Sequence, residues 1–90
     1  NPVARRRCIE HHGTACAVCG QKLSDIYGPI ADGVIHVHHL RPLSDCGGRD
    51  YQVDPITELR PVCPNCHVVL HLRQPPLTIE ELRVLRSEPR

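Results

Sequence analysis

Four cysteines and four histidines in this chain are spaced for metal chemistry. Cys16-Ala17-Val18-Cys19 and Cys63-Pro64-Asn65-Cys66 are both C-x-x-C pairs. Thiolates at that spacing grip one ion from a tight knuckle. Two such pairs can close a tetrahedral four-cysteine zinc site, which is full and therefore structural. His67 and His71 follow at i and i+4, so on a helix they project from one face. His38-His39 lies earlier in the chain. A His-His pair facing a helix that the zinc knuckle pins in place can supply three imidazoles and leave a coordination position open. That is a working site rather than a filled one. Residues 61–71 thus hold parts of two metal sites.

A disulfide framework is the other reading of six cysteines in a 90-residue chain. The paired C-x-x-C spacing favours metal, and with it a reducing, cytoplasmic compartment. Cys8 and Cys46 are left over and read as ordinary small thiols. Core material is thin. There is no Phe, Trp or Met, and Tyr27 and Tyr51 are the only aromatics. A chain this short packed with Val, Ile, Leu and Ala needs a staple, and the thiols supply one. Net charge is +1, so bulk charge does not imply strong nonspecific affinity for nucleic acid. Four thiolates around one zinc would bring it to about −1, and a second divalent cation back to about +1. No apolar run is long enough for a membrane span and no signal-peptide pattern is present, which predicts no membrane association. With no initiator Met before Asn1-Pro2-Val3, we expect a processed or C-terminal piece of a larger protein, with 1–90 forming one domain.

The elements that must position these residues follow in order. Residues 2–13 predict a helix, with Pro2 in its first turn and Gly13 at its stop. Arg5, Arg6 and Arg7 make it basic, as a solvated face or as a phosphate contact. His11 and His12 at its end suit the helix dipole. Gly20 lets the first knuckle turn tightly. Gly28-Pro29 and Asp32-Gly33 predict turns over 24–33. Residues 34–40 predict a strand, with Val34, His36 and His38 on one face and Ile35, Val37 and His39 on the other. Pro42 closes that strand, and residues 44–55, with Gly47-Gly48, predict a loop. A second strand over 57–62 is expected to pair antiparallel with the first. Pro64 then opens a helix to about residue 72, which Gln74-Pro75-Pro76 interrupts. Thr78 and Glu81 form a capping-box pattern for a last helix with an apolar stripe of Ile79, Leu82 and Leu85. The expected class is small α+β.

Val37-His38-His39-Leu40-Arg41-Pro42-Leu43, then Glu58-Leu59, then Cys63-Pro64-Asn65-Cys66-His67 with His71, resembles an HNH endonuclease. The likeness covers roughly residues 8–72. It implies a ββα-metal core, stapled here by the four-cysteine zinc site and flanked by N- and C-terminal helices. Carried over residue by residue, it implies His38, His67 and His71 as ligands of a catalytic divalent ion and His39 as general base. The family's middle Asn falls on Glu58, a departure; a carboxylate can still orient an imidazole N–H. Asn65 sits inside the zinc knuckle and is left off the catalytic list. Leu77-Thr78-Ile79-Glu80-Glu81-Leu82 resembles the end of HNH domains in McrA-like, modification-dependent restriction enzymes. There an SRA-like or other recognition domain lies upstream.

The resemblance implies a DNA phosphodiester substrate and products with 5′-phosphate and 3′-hydroxyl ends. His39 would take a proton from water, with His36 next in line as base. The ion would polarise a phosphate oxygen and offset charge on the leaving 3′-oxygen. An all-imidazole shell favours Mn²⁺, Co²⁺ or Ni²⁺ over Mg²⁺, which prefers oxygen ligands. Arg41 suits a phosphate contact or a plain surface role. DNA is the expected partner, and a homodimer is compatible with the pattern. Two alternatives stay open: a noncatalytic zinc module that binds DNA or protein, and an HNH nuclease of homing or phage type.

Overall fold

Asn1 caps the first helix, its Oδ1 accepting from the N–H groups of Val3 at 2.9 Å and Ala4 at 3.3 Å. This helix, α1, runs Pro2–His12 and stops at Gly13, whose φ of 81° suits a residue without a Cβ. The computed structural model describes residues 1–41 and 53–90. Pro42, Cys46, Gly47, Gly48 and most of the loop expected over 44–55 lie outside the described residues.

After α1 comes the first knuckle. The thiol of Cys16 accepts from the N–H of Val18 at 3.4 Å and of Cys19 at 3.5 Å. The Gly20 N–H closes the turn onto the Cys16 carbonyl at 2.8 Å. Residues 24–33, read from the sequence as turns, contain more structure than that. A five-residue helix, α2 (Leu23–Tyr27), leads into a 3-10 turn at Pro29–Ala31. Five residues are too few to show a helical period, so only the bounding Gly-Pro and Asp-Gly signals were visible.

The sheet is a single antiparallel pair, β1 (His36–His39) and β2 (Leu59–Val62). Its register sets His36 opposite Val62 and His39 opposite Leu59. Both strands are shorter than their sequence patterns. Val34 donates to the Ala31 carbonyl at 3.2 Å, so it still belongs to the preceding turn. Thr57 is held in a turn by Asp54, whose carboxylate accepts from the N–H groups of Ile56 and Thr57. Local side-chain bonding of this kind competes with the ladder and wins at the strand's start.

Helix α3 (Pro64–Leu70) begins where Cys63 acts as its N-cap, the sulfur accepting from the Cys66 N–H at 3.4 Å. It ends about two residues earlier than the sequence implied, with His71 as the cap residue. The chain then folds back, and the Leu77 N–H reaches the Leu70 carbonyl at 2.9 Å. Helix α4 (Ile79–Ser87) carries the full capping box, Glu81 N–H to Thr78 Oγ1 and Thr78 N–H to Glu81 Oε1. Its expected stripe is narrower than three residues. Ile79 and Leu82 are buried, whereas Leu85 is 45 % exposed.

The core gathers around the thiols. Cys16, Cys63 and Cys66 form one buried cluster with Val18, Val62, Leu70, Leu77, Ile79 and Leu82. The first knuckle is hydrogen-bonded into this cluster from two sides. Ala17 donates its N–H to the Pro61 carbonyl of β2 at 2.8 Å and accepts at its carbonyl from Arg83 of α4. No helix among the described residues is long and apolar enough to cross a membrane.

Candidate functional site

Two groups of donor atoms converge, on different faces of α3. The first comprises the thiols of Cys16, Cys19, Cys63 and Cys66, whose sulfurs all lie within 4.8 Å of one another. The Cys19 and Cys63 sulfurs are 3.9 Å apart. That is far too long for a disulfide, and the described cysteines are free thiols. It does match a tetrahedral ZnS₄ site, whose bonds of about 2.3 Å set sulfurs about 3.8 Å apart.

Their protonation argues the same way. Burial pushes the Cys16 thiol up, but N–H groups donating to its sulfur outweigh this and bring it down to about 7. Cys66 is pushed strongly up, first by burial and then by the neighbouring thiols of Cys63 and Cys16. Burial likewise raises Cys19. Crowded buried thiols cannot all ionise without a cation among them, and zinc is the ion this closed all-sulfur set suits. Cys8, the buried residue of α1, stands apart from the group; burial raises its thiol, with Arg60 and Arg5 opposing.

The second group is His38, His67 and His71, each offering a ring nitrogen within 4.8 Å of the other two. His38 comes from β1 and the other two from α3 and its cap. The rings meet edge to face, with centroids 5.4 Å apart for His38–His67, 5.1 Å for His38–His71 and 4.9 Å for His67–His71. His38 is 4 % exposed, and its Nδ1 is buried with no hydrogen-bond partner. An orphaned buried ring nitrogen is costly unless something else binds it. Burial, then the neighbouring His67, His71 and His39, pushes His38 down to about 4. Burial also lowers His67, followed by His71, His36 and His39. Neutral imidazoles keep their lone pairs free for a metal, so this donor set fits a transition-metal ion.

His39 stands next to this group without belonging to it. It is half-buried and, with His38 and Leu40, lines a cavity of about 210 Å³. The opposite wall is residues 75–80, leading into α4. The sequence offered no sign that this segment would face His39. Glu58 lies just before β2, and its carbonyl accepts from the Leu40 N–H at 2.9 Å. One carboxylate oxygen of Glu58 accepts from the Asp54 N–H at 2.8 Å, and the other is 3.5 Å from the Arg41 guanidinium.

The basic residues divide. Arg5 donates to the Ile35 carbonyl at 3.0 Å and so ties α1 to the start of β1. Arg6 pairs with Glu10 at 3.8 Å on the helix surface, and Arg7 is exposed. His12, assigned from the sequence to the helix dipole, brings its Nε2 within 2.7 Å of the Ile56 carbonyl. Arg60 donates to that same carbonyl at 2.9 Å. One residue of the site was undervalued. His36 Nδ1 lies 2.9 Å from His67 Nδ1. Strand alternation had set His36 on the His38 face, which was the available signal.

No curated protein and no solved structure matches the chain. Residues 16–73 match the HNH endonuclease family. That span opens on the first thiol of one donor group and closes just past the last imidazole of the other, taking in the strand pair and α3. The chain belongs to the HNH endonuclease family.

Proposed function

We propose that this chain hydrolyses DNA phosphodiester bonds, with His39 as general base beside a divalent ion held by His38, His67 and His71. The observation that supports this most is the convergence of three imidazoles next to a fourth that lines a cavity. A structural module needs only the thiol group, which leaves these histidines without a task.

An ion in the imidazole shell would polarise a phosphate oxygen and offset charge on the leaving 3′-oxygen. His39 takes a proton from water as the water oxygen attacks phosphorus, and the P–O3′ bond breaks with the 3′-oxygen taking a proton from solvent, leaving 5′-phosphate and 3′-hydroxyl ends. Glu58 is assigned to orienting His39, in the place of the family's Asn; its carboxylate contacts the Asp54 N–H and the Arg41 guanidinium. Of the four arginines read from the sequence as phosphate contacts, Arg5 and Arg6 are engaged within the chain, and Arg7 and Arg41 are assigned that role. Residues 1–90 act as one cleavage domain, and the sequence likeness at residues 77–82 favours a modification-dependent restriction enzyme with a DNA-recognition domain upstream.

The test is nicking of supercoiled plasmid, modified and unmodified, across Mn²⁺, Co²⁺, Ni²⁺ and Mg²⁺, with His39→Ala as control. Metal-dependent nicking lost in His39→Ala supports nuclease activity, and a preference for modified DNA supports the restriction assignment. The replacement of the family's Asn by Glu58 favours a second reading, a noncatalytic zinc module. One metal per chain and intact plasmid under Mn²⁺ would establish that reading instead.

A further inference from the structure

His36 is the exposed first residue of β1, two positions before His38, and it lies outside the three-imidazole group. Its Nδ1 nonetheless faces His67 Nδ1 at 2.9 Å, with ring centroids 5.1 Å apart and planes at 82°. Two imidazole nitrogens at that distance share one proton, so one donates and the other accepts.

Which of them donates decides what His67 can do. If His36 donated, His67 would accept at Nδ1 and carry its own proton on Nε2, with no lone pair left for a metal. If His67 donates, its Nε2 lone pair is free. His67 Nδ1 is engaged by His36 in both cases, so Nε2 is the nitrogen remaining for the ligand role. We infer that His36 is a positioning residue: it accepts the His67 Nδ1–H, and so fixes the tautomer and ring orientation in which His67 Nε2 faces the metal site. Metal-bound histidines commonly need such an outer partner, and its removal costs about 10- to 100-fold in metal affinity. The strand supplies this partner without extra machinery, because residues two apart on β1 share the face toward α3.

The inference rests on the reading of His38, His67 and His71 as a metal shell. Protein with zinc in its thiol site is titrated with Co²⁺, following the cobalt absorption bands of the imidazole site. Four forms are compared: wild type, His36→Ala, His36→Asn and His67→Ala. Asn places an amide oxygen about where His36 Nδ1 stands, so it keeps the acceptor and loses the ring. The expected result is about 10- to 100-fold weaker Co²⁺ binding in His36→Ala. Binding is substantially restored in His36→Asn and lost in His67→Ala. Nitrogen NMR of the zinc-loaded protein without cobalt should show His67 protonated at Nδ1 in wild type, and a mixed tautomer in His36→Ala. A merely structural effect would not move that signal. Wild-type Co²⁺ affinity and an unchanged His67 tautomer in His36→Ala would overturn the positioning role alone. Failure of the wild type to bind a second ion would overturn the metal shell, and the inference with it.

Discussion

Cys66 and His67 are neighbours on α3 and serve different faces of it. The Cys66 thiol turns into the core among Cys16, Cys19 and Cys63, and the His67 ring turns out to His38, His71 and His36. Consecutive helical residues point about 100° apart, so one rigid turn can serve two ions without sharing a ligand. Anything that locks Cys66 therefore also aims His67.

The thiol group is accordingly expected to carry the fold. Structural zinc supplies about 10–16 kcal/mol of folding free energy in small domains, more than a core this thin provides. Cys63→Ser leaves a hydroxyl that can cap α3 in place of the sulfur, so its effect reports the lost metal ligand. The variant, or wild type stripped with a chelator, should lose its cooperative melt by circular dichroism. An unchanged melting curve would remove zinc from the stability argument.

His39 should separate from that role. It is half-buried and lies outside both donor groups, so His39→Ala is expected to keep the zinc content and melting temperature of wild type. Loss of a general base should slow plasmid nicking by about 10²- to 10⁴-fold. Undiminished nicking by a metal-replete His39→Ala protein would place the base elsewhere.

The imidazole shell sets the metal preference. With three nitrogen donors and no carboxylate in the group, Mn²⁺, Co²⁺ or Ni²⁺ should support nicking at least as well as Mg²⁺. Cleavage supported by Mg²⁺ alone would contradict the three-histidine shell.

Acid should weaken the protein that has zinc but no second ion, through His38. Its folded pKa of about 4 lies below its ordinary value of 6.5, so between those values the unfolded state binds the proton more readily. The neutral, buried His38 contributes its full stability above about pH 6.5. That contribution declines as pH falls toward 4, with no further loss below. Melting temperatures from pH 7.5 to 4.5 should fall more steeply for wild type than for His38→Gln; parallel slopes would exclude His38 as the cause.

The capping box of α4 is a local feature with a local cost. Thr78→Ala should destabilise by about 0.5–2 kcal/mol in denaturant titrations. It should leave the zinc stoichiometry unchanged, because α4 contributes no thiol. A neutral effect would mean that Arg83, bonded to the Ala17 carbonyl, holds α4 without its cap.

The thiol pairs and the His67–His71 pair could be read from the sequence because their geometry is local, whereas the choice of His38 as third ligand followed from the family resemblance. C-x-x-C places two sulfurs on one turn, Cys63 caps the helix that Pro64 opens, and residues at i and i+4 share a helical face whatever surrounds them. The strand pair, the two flanking helices and the Thr78–Glu81 box followed from the same short-range rules. Only the tertiary structure decided how those pieces meet. Packing of α3 against β1 turned His36 from a spare base into the partner of His67 Nδ1, and it buried His38 without a hydrogen bond. The fold-back from Leu70 to Leu77 set residues 75–80 against His39, and Asp54 shortened β2 so that Glu58 begins outside the ladder. The orientation of one element against another depends on which apolar faces bury together. In this chain those faces close around four cysteines far apart in sequence, a long-range outcome that periodicity within a single segment does not contain.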